Sequence, residues 1–264
     1  MRYHISPFTC ENTPIYEQVD SIVLIGVAHG ANAERQREKR AKFLAEIYRC
    51  DHLLLEGNHA VSNMNALLLP TNYETTARRV FRDPAYFLEE DADIPALGEK
   101  YGVRKDLFDL YDSLQILRAG LQVCNDNPEI LARMLMNDLE VKRRLYRGFD
   151  AIHPEETLRK IGEMLRLFPE EEADVVCGIG EIFEWYKARV RDHELLGPRT
   201  RNLLPRLRGR KGEIVGANHV DYLARYLRGQ ATGPPEDWRS FAQGLDPQQR
   251  NVIRRIEEEL FPSS

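Results

Sequence analysis

Residues 21–28 read SIVLIGVA, and His29 follows at once. A strand sends successive side chains to opposite faces, so an apolar and β-branched run without alternation belongs to a strand covered on both sides, as in a parallel sheet. Downstream, residues 33–49 are polar and charged but carry Phe43, Leu44, Ile47 and Tyr48 at helical spacing. HLLLE at 52–56 is a second short apolar run, and it closes on Glu56. Strand, helix and strand within about 35 residues make a βαβ unit with a right-handed crossover. The expected fold class is therefore α/β, a mostly parallel central sheet flanked by helices.

Beyond the second strand the pattern changes. Residues 60–190 carry nearly continuous helix signal, with Leu107, Leu110, Tyr111, Leu114 and Leu117 on one face and Leu158, Ile161, Leu165 and Phe168 on another. Asn127-Pro128 and His153-Pro154 read as helix starts, where proline has no needed N–H to lose. The stretch 60–190 is thus expected as a helical insertion or cap within a single α/β domain of residues 1–264. A further strand is expected at 213–217, after the turn-forming Arg210-Lys211-Gly212, and it runs into Asn218-His219. Gly233-Pro234-Pro235 opens a C-terminal helical tail, 233–264, with an amphipathic helix near 247–260. The chain shows neither a repeat of solenoid period nor a low-complexity segment.

Composition narrows the partners. A chain of 264 residues with 42% apolar and 30% charged residues is long enough to bury a sizeable core. Its formal charge of -5 offers no general attraction for nucleic acid or anionic membrane. No apolar run approaches the roughly 20 residues that span a bilayer, and the N-terminus lacks a basic region followed by an apolar one. Cys10, Cys50, Cys124 and Cys177 are widely spaced, which suits buried or free thiols, and a cytoplasmic address is expected. The partner expected is a peptide or small-molecule substrate, with no nucleic acid and no membrane span; the oligomeric state is left open.

The chemistry gathers where strands end. In parallel α/β sheets, ligand sites form outside the carboxyl ends of the strands, where loops and helix N-termini share a crevice. His29, Glu56 and His219 each stand at such an end. Two imidazoles and a carboxylate form a common ligand shell for a divalent ion such as zinc, manganese or cobalt, with positions left for water and substrate. The same three groups without metal suit general-base activation of water.

At these residues the sequence resembles the TraB/PrgY/GumN and Tiki group, which is distantly related to the erythromycin esterases and the haem-binding lipoprotein ChaN. The resemblance rests on IVLIGVAH, LLLEGNH and GEIVGANH, which supply two G-x-x-H motifs and a glutamate closing the second core strand. It implies an α/β fold with a helical middle region and, for the Tiki branch, a metal-dependent peptidase that uses both histidines and the glutamate. Other branches imply ester cleavage or haem binding instead. The family also carries an Arg-Asp or Arg-Asn on a helix before the second G-x-x-H. Arg191-Asp192 is the expected match, although Gly197-Pro198 interrupts the helix there and Arg201-Asn202 is a rival. Such an arginine would hold a substrate carboxylate, stabilise an oxyanion or fix Glu56 by an ion pair.

Four other features have structural expectations. His59 follows the strand closely enough to be a fourth ligand, but it sits in the polar loop after Glu56 and is expected to be exposed or an outer partner of a ligand. Asp221, two residues beyond His219, is a candidate outer partner. The basic residues Arg199, Arg201, Arg206, Arg208, Arg210 and Lys211 are expected on a solvated helix face. Phe183, Tyr186 and Val190 are expected in the core.

Overall fold

The computed structural model describes residues 12–28, 31–57, 70–81, 83–90, 93–103, 110–111, 114, 132–133, 135–137, 139–140, 154–168, 172–231 and 233–260. Its strands are β1 (Ile15–Val19), β2 (Ile22–Val27), β3 (His52–Leu55), β4 (Tyr86–Phe87) and β5 (Lys211–Gly216). They form one sheet in the order β1-β2-β5-β3-β4. β2, β5, β3 and β4 are parallel, and β1 pairs antiparallel with β2. The expected α/β architecture with a mostly parallel sheet is what the chain adopts.

The order has a simple cause and an important consequence. β2, α1 (Arg37–Tyr48) and β3 make the βαβ unit read from the sequence, but the two strands leave a gap between them. β5 fills it, pairing Ile25 with Ile214 on one side and Leu55 with Ile214 on the other. The strand followed by His219 therefore lies between the strand followed by Glu56 and the strand followed by His29.

Each face of the sheet has its own core. Val23, Ile25, Val27, Leu53, Leu55 and Ile214 pack with Phe43 and Ile47 of α1 and with Tyr73 and Ala77 of α2 (Tyr73–Val80). On the opposite face, Ile22, Leu24, Leu54 and Val215 meet Leu196 and the α7 (Val220–Leu227) residues Val220 and Leu223. Burying one such aliphatic side chain contributes about 1.5–3 kcal/mol, so this double cover accounts for the continuous apolar character of β2.

The sequence pattern does not predict β1 or β4. β1 is an edge strand whose polar Glu17 and Gln18 interrupt the apolar signal, and Asp20 turns the chain into β2 with φ 47, a conformation that aspartate tolerates. β4 is two residues long, too short to show any period, and it interrupts the stretch read as helical.

The chain divides into two compact units. Residues 6–90 and 188–235 carry the sheet, while residues 1–5, 91–187 and 236–264 form the other unit. The stretch 60–190 is thus shared between the two, with α2 and β4 in the sheet unit. The second unit holds α3 (Asp93–Lys100), α4 (Pro154–Leu167), most of α5 (Ala173–Arg191), α8 (Trp238–Gln243) and α9 (Pro247–Leu260). At its centre the Trp238 ring lies 5.2 Å from Phe183 and 5.1 Å from Tyr186. Phe183, Tyr186 and Val190 are all buried, as expected. Among the described residues no helix is long and apolar enough to cross a membrane.

The expected break at Gly197-Pro198 is corrected. α5 passes through a π-helical turn, Asp192–Leu196, directly into α6 (Gly197–Leu203). The Gly197 N–H bonds back to the Asp192 carbonyl, the wider π spacing, and Pro198 follows in the first turn of α6, where its missing N–H costs little. Gly197 is required here, because a Cβ would stand 2.6 Å from the Tyr226 ring and 2.7 Å from the Asp192 carbonyl oxygen.

Candidate active site

Glu56 is the first residue beyond β3, and backbone pairing carries past the strand end to fix it: its N–H donates to the Ile214 carbonyl at 3.0 Å. Its side chain then bridges three elements. Oε2 accepts the Gly216 N–H at 2.5 Å, at the end of β5, and Oε1 accepts from the Arg191 guanidinium at 2.7 Å. Gly57, at φ 87, turns the chain away immediately afterwards.

His219 reaches the same place from β5. A short 3₁₀ turn, Ala217–His219, follows the strand and leads into α7, and the His219 side chain is 3% exposed. Its Nε2 lies 3.3 Å from Glu56 Oε1, and its Nδ1 lies 2.6 Å from Asp192 Oδ1. The glycine of the first G-x-x-H motif makes this turn possible: a Cβ on Gly26 would stand 2.6 Å from Val220 and 2.9 Å from the Ala217 backbone. The two motifs are thus packed against each other, with the first glycine giving the second turn its space.

Arg191, the last residue of α5, completes the group. Besides Glu56 it donates to Glu89 Oε1 from Nε at 2.9 Å and from its terminal nitrogen at 2.6 Å. Glu89 is buried, and its own N–H is tied to the Gly57 carbonyl at 3.1 Å, so β4 and β3 jointly hold both carboxylates against one guanidinium.

Electrostatics follow from this enclosure. Burial alone would push the His219 pKa down, but the charges of Asp192 and Glu56 and hydrogen bonds to both push it up to about 10. One level below, on β5, Glu213 is fully enclosed and accepts a hydrogen bond from the Thr200 hydroxyl at 3.0 Å. Burial pushes its pKa up to about 8; the Thr200 bond opposes this, and the charges of Asp192 and Glu56 add to it. Glu213 Oε1 and Asp192 Oδ2 are buried without a hydrogen-bond partner among the described residues.

Glu56, His219 and Arg191 are therefore brought together in the sheet unit, while His29 and His59 lie outside the described residues. Arg201 stands apart from this group, over the Tyr226 ring at 4.4 Å, and bonds the Tyr226 carbonyl. Asp221 is corrected as an outer partner of His219: it is exposed and pairs with Arg225 at 2.9 Å. Asp192 occupies that position instead. The basic run is corrected in part: Arg201, Arg206 and Arg208 are exposed as expected, but Lys211 is buried in β5 with Nζ on Ser21 Oγ at 3.0 Å, and Arg199 donates to the Leu88 carbonyl at 2.7 Å.

Sequence reasoning missed Glu89 and Glu213, and it named Asp192 as the neighbour of Arg191 without giving it a role. Asp192 was signalled by its place beside Arg191, and Glu213 by being a carboxylate inside the apolar run Ile214-Val215 and its neighbours. Glu89 carries no comparable signal. Among the described residues no group of three His, Cys, Asp or Glu side chains is placed to hold a metal ion. A scan against protein-family models and searches of curated proteins and of solved structures give no match to this chain.

Proposed function

We propose that this site hydrolyses a peptide or ester bond, with water activated between Glu56 and His219. One observation carries the reading: the His219 ring is held at both ends, by Asp192 on Nδ1 and beside Glu56 on Nε2, where the sheet's strands end. An imidazole gripped on Nδ1 has a fixed orientation and presents Nε2 for chemistry. Glu56 accepts a proton from water, and Arg191 keeps that carboxylate oriented while neutralising Glu89.

The donor set also fits a divalent ion of the zinc, manganese or cobalt kind. Two donors about 2.0–2.1 Å from one tetrahedral ion stand roughly 3.3 Å apart, which is the separation of His219 Nε2 and Glu56 Oε1. Asp192 on the far nitrogen is the carboxylate partner that metal-binding histidines usually have. His219 and Glu56 would hold the ion, and the resemblance to the TraB/Tiki group adds His29. Such an ion supplies a polarised carbonyl and a more acidic water.

A second reading, hydrolysis without metal, is favoured by the occupancy of Glu56. Both of its oxygens already accept hydrogen bonds, and a pKa of about 10 makes His219 a cation able to donate a proton to a leaving group. Turnover of a panel of peptides and esters separates the readings, measured with added zinc, manganese or cobalt and after chelation. Turnover restored by the ion supports the metal site, and turnover indifferent to chelation supports the second reading. Retention of unchanged peptide or tetrapyrrole without turnover would make the protein a binder and end the proposal.

A further inference from the structure

The π turn has a geometric effect on what the helix presents to the sheet. Side chains on an α-helix advance by about 100° per residue, so positions seven apart return to within about 20° of one another, whereas positions eight apart diverge by about 80°. Asp192 and Thr200 are eight apart. The π turn between them adds one residue to the helical path, which makes their effective separation seven and brings both onto one stripe. Both then reach the same layer of the sheet unit: Asp192 bonds His219 at 2.6 Å, and Thr200 bonds Glu213 at 3.0 Å. All four side chains are almost fully enclosed.

We propose that Glu213 is a positioning residue, which acts through Thr200 and the π-turned helix to set where Asp192 grips the His219 ring. A single side-chain bond would leave the helix free to rotate about its axis. Two bonds on one stripe, to residues six apart on β5 and the turn after it, fix both its rotation and its depth. Gly197 holds the π geometry from the other side, because its bare Cα lets Tyr226 of α7 close against it. A carboxyl group buried in the centre of an apolar sheet face is costly, and anchoring the helix that carries Arg191 and Asp192 gives that position a role.

The inference deepens the hydrolytic reading but is tested without turnover. The probe is the proton on His219 Nδ1, whose NMR resonance lies far downfield while it is held on Asp192, in the full-length protein without substrate. Thr200→Val keeps the shape of threonine and removes the donor; Glu213→Leu removes the acceptor. Both should move that resonance upfield and speed its exchange with water, while Thr200→Ser restores it. If Glu213→Leu does not fold, the Thr200→Val and Thr200→Ser pair decides the matter alone. A folded Thr200→Val protein with the wild-type resonance and exchange rate would overturn the inference. A displaced resonance in a protein that hydrolyses nothing would leave this inference standing and remove the hydrolytic reading.

Discussion

The His219 ring joins two carboxylates that come from different elements: Asp192 at 2.6 Å, from the π turn, and Glu56 at 3.3 Å, from the end of β3. Charge on the imidazole is what makes that arrangement stable in an enclosed place. Asp192→Ala leaves His219 without its closest counter-charge and should destabilise the fold by about 3–5 kcal/mol, read by chemical denaturation. Asp192→Asn keeps a hydrogen-bond acceptor but no charge. The His219 pKa should then fall from about 10 toward its ordinary value, which an NMR titration would show.

Arg191 and Glu89 should behave as a coupled pair. Arg191→Met removes the guanidinium that Glu56 and Glu89 share, leaving Glu89 without that cation and Glu56 beside His219, and should cost about 3–5 kcal/mol. Glu89→Gln added to it removes one of the two carboxylate charges, so the double variant should be more stable than Arg191→Met alone. Additive losses in a denaturation cycle would mean that the two carboxylates do not share the guanidinium energetically.

Glu213 gives the fold a pH dependence of definite sign. Its pKa rises from the usual 4.5 to about 8 on folding, so between those values the folded chain keeps a proton that the unfolded chain has released. The corresponding stability is complete below pH 4.5 and is lost as pH rises through 8. His219 acts in the same direction over a higher window, from 6.5 to about 10. Glu213→Gln removes the first component and still accepts the Thr200 hydrogen bond. Its melting temperature should therefore fall less than that of wild type between about pH 5 and pH 8.

Gly26→Ala tests the packing of the two G-x-x-H segments. The new methyl meets Ile15 and Val220 at 2.6 Å and the Ala217 backbone at 2.9 Å, so the turn before His219 must shift. A loss of about 1–3 kcal/mol is expected, together with movement of the His219 ring signals in NMR spectra. Wild-type ring signals in that variant would show that the first motif does not shape the second.

Much of this was legible in the sequence because burial on both faces leaves a readable trace. The run Ile22–Val27 and the HLLL of β3 are apolar without alternation, and the residues after them stand where an α/β sheet opens its crevice. Glu56 and His219 could be named on that basis. The partners of those residues were less legible, since a buried ion pair depends on which elements meet and not on local spacing. Glu89 lies 33 positions beyond Glu56 in the chain, and the two meet only through β4, a strand too short to show a pattern. Asp192 was hidden differently. Gly197-Pro198 reads as a helix end, whereas the π turn Asp192–Leu196 leads straight into α6, which begins with both residues, and the helix keeps running.

Whether Glu56 and His219 activate water is read from the turnover of Glu56→Gln beside wild type on the peptide and ester panel. Gln keeps the size of the side chain and an acceptor for the Gly216 N–H, but it cannot take a proton from water. Because Glu56 also pairs with Arg191, the folded fraction of both proteins must be matched by near-ultraviolet circular dichroism. Folded Glu56→Gln should turn over about 100-fold or more slowly than wild type. Turnover equal to that of wild type would show that Glu56 does not activate water.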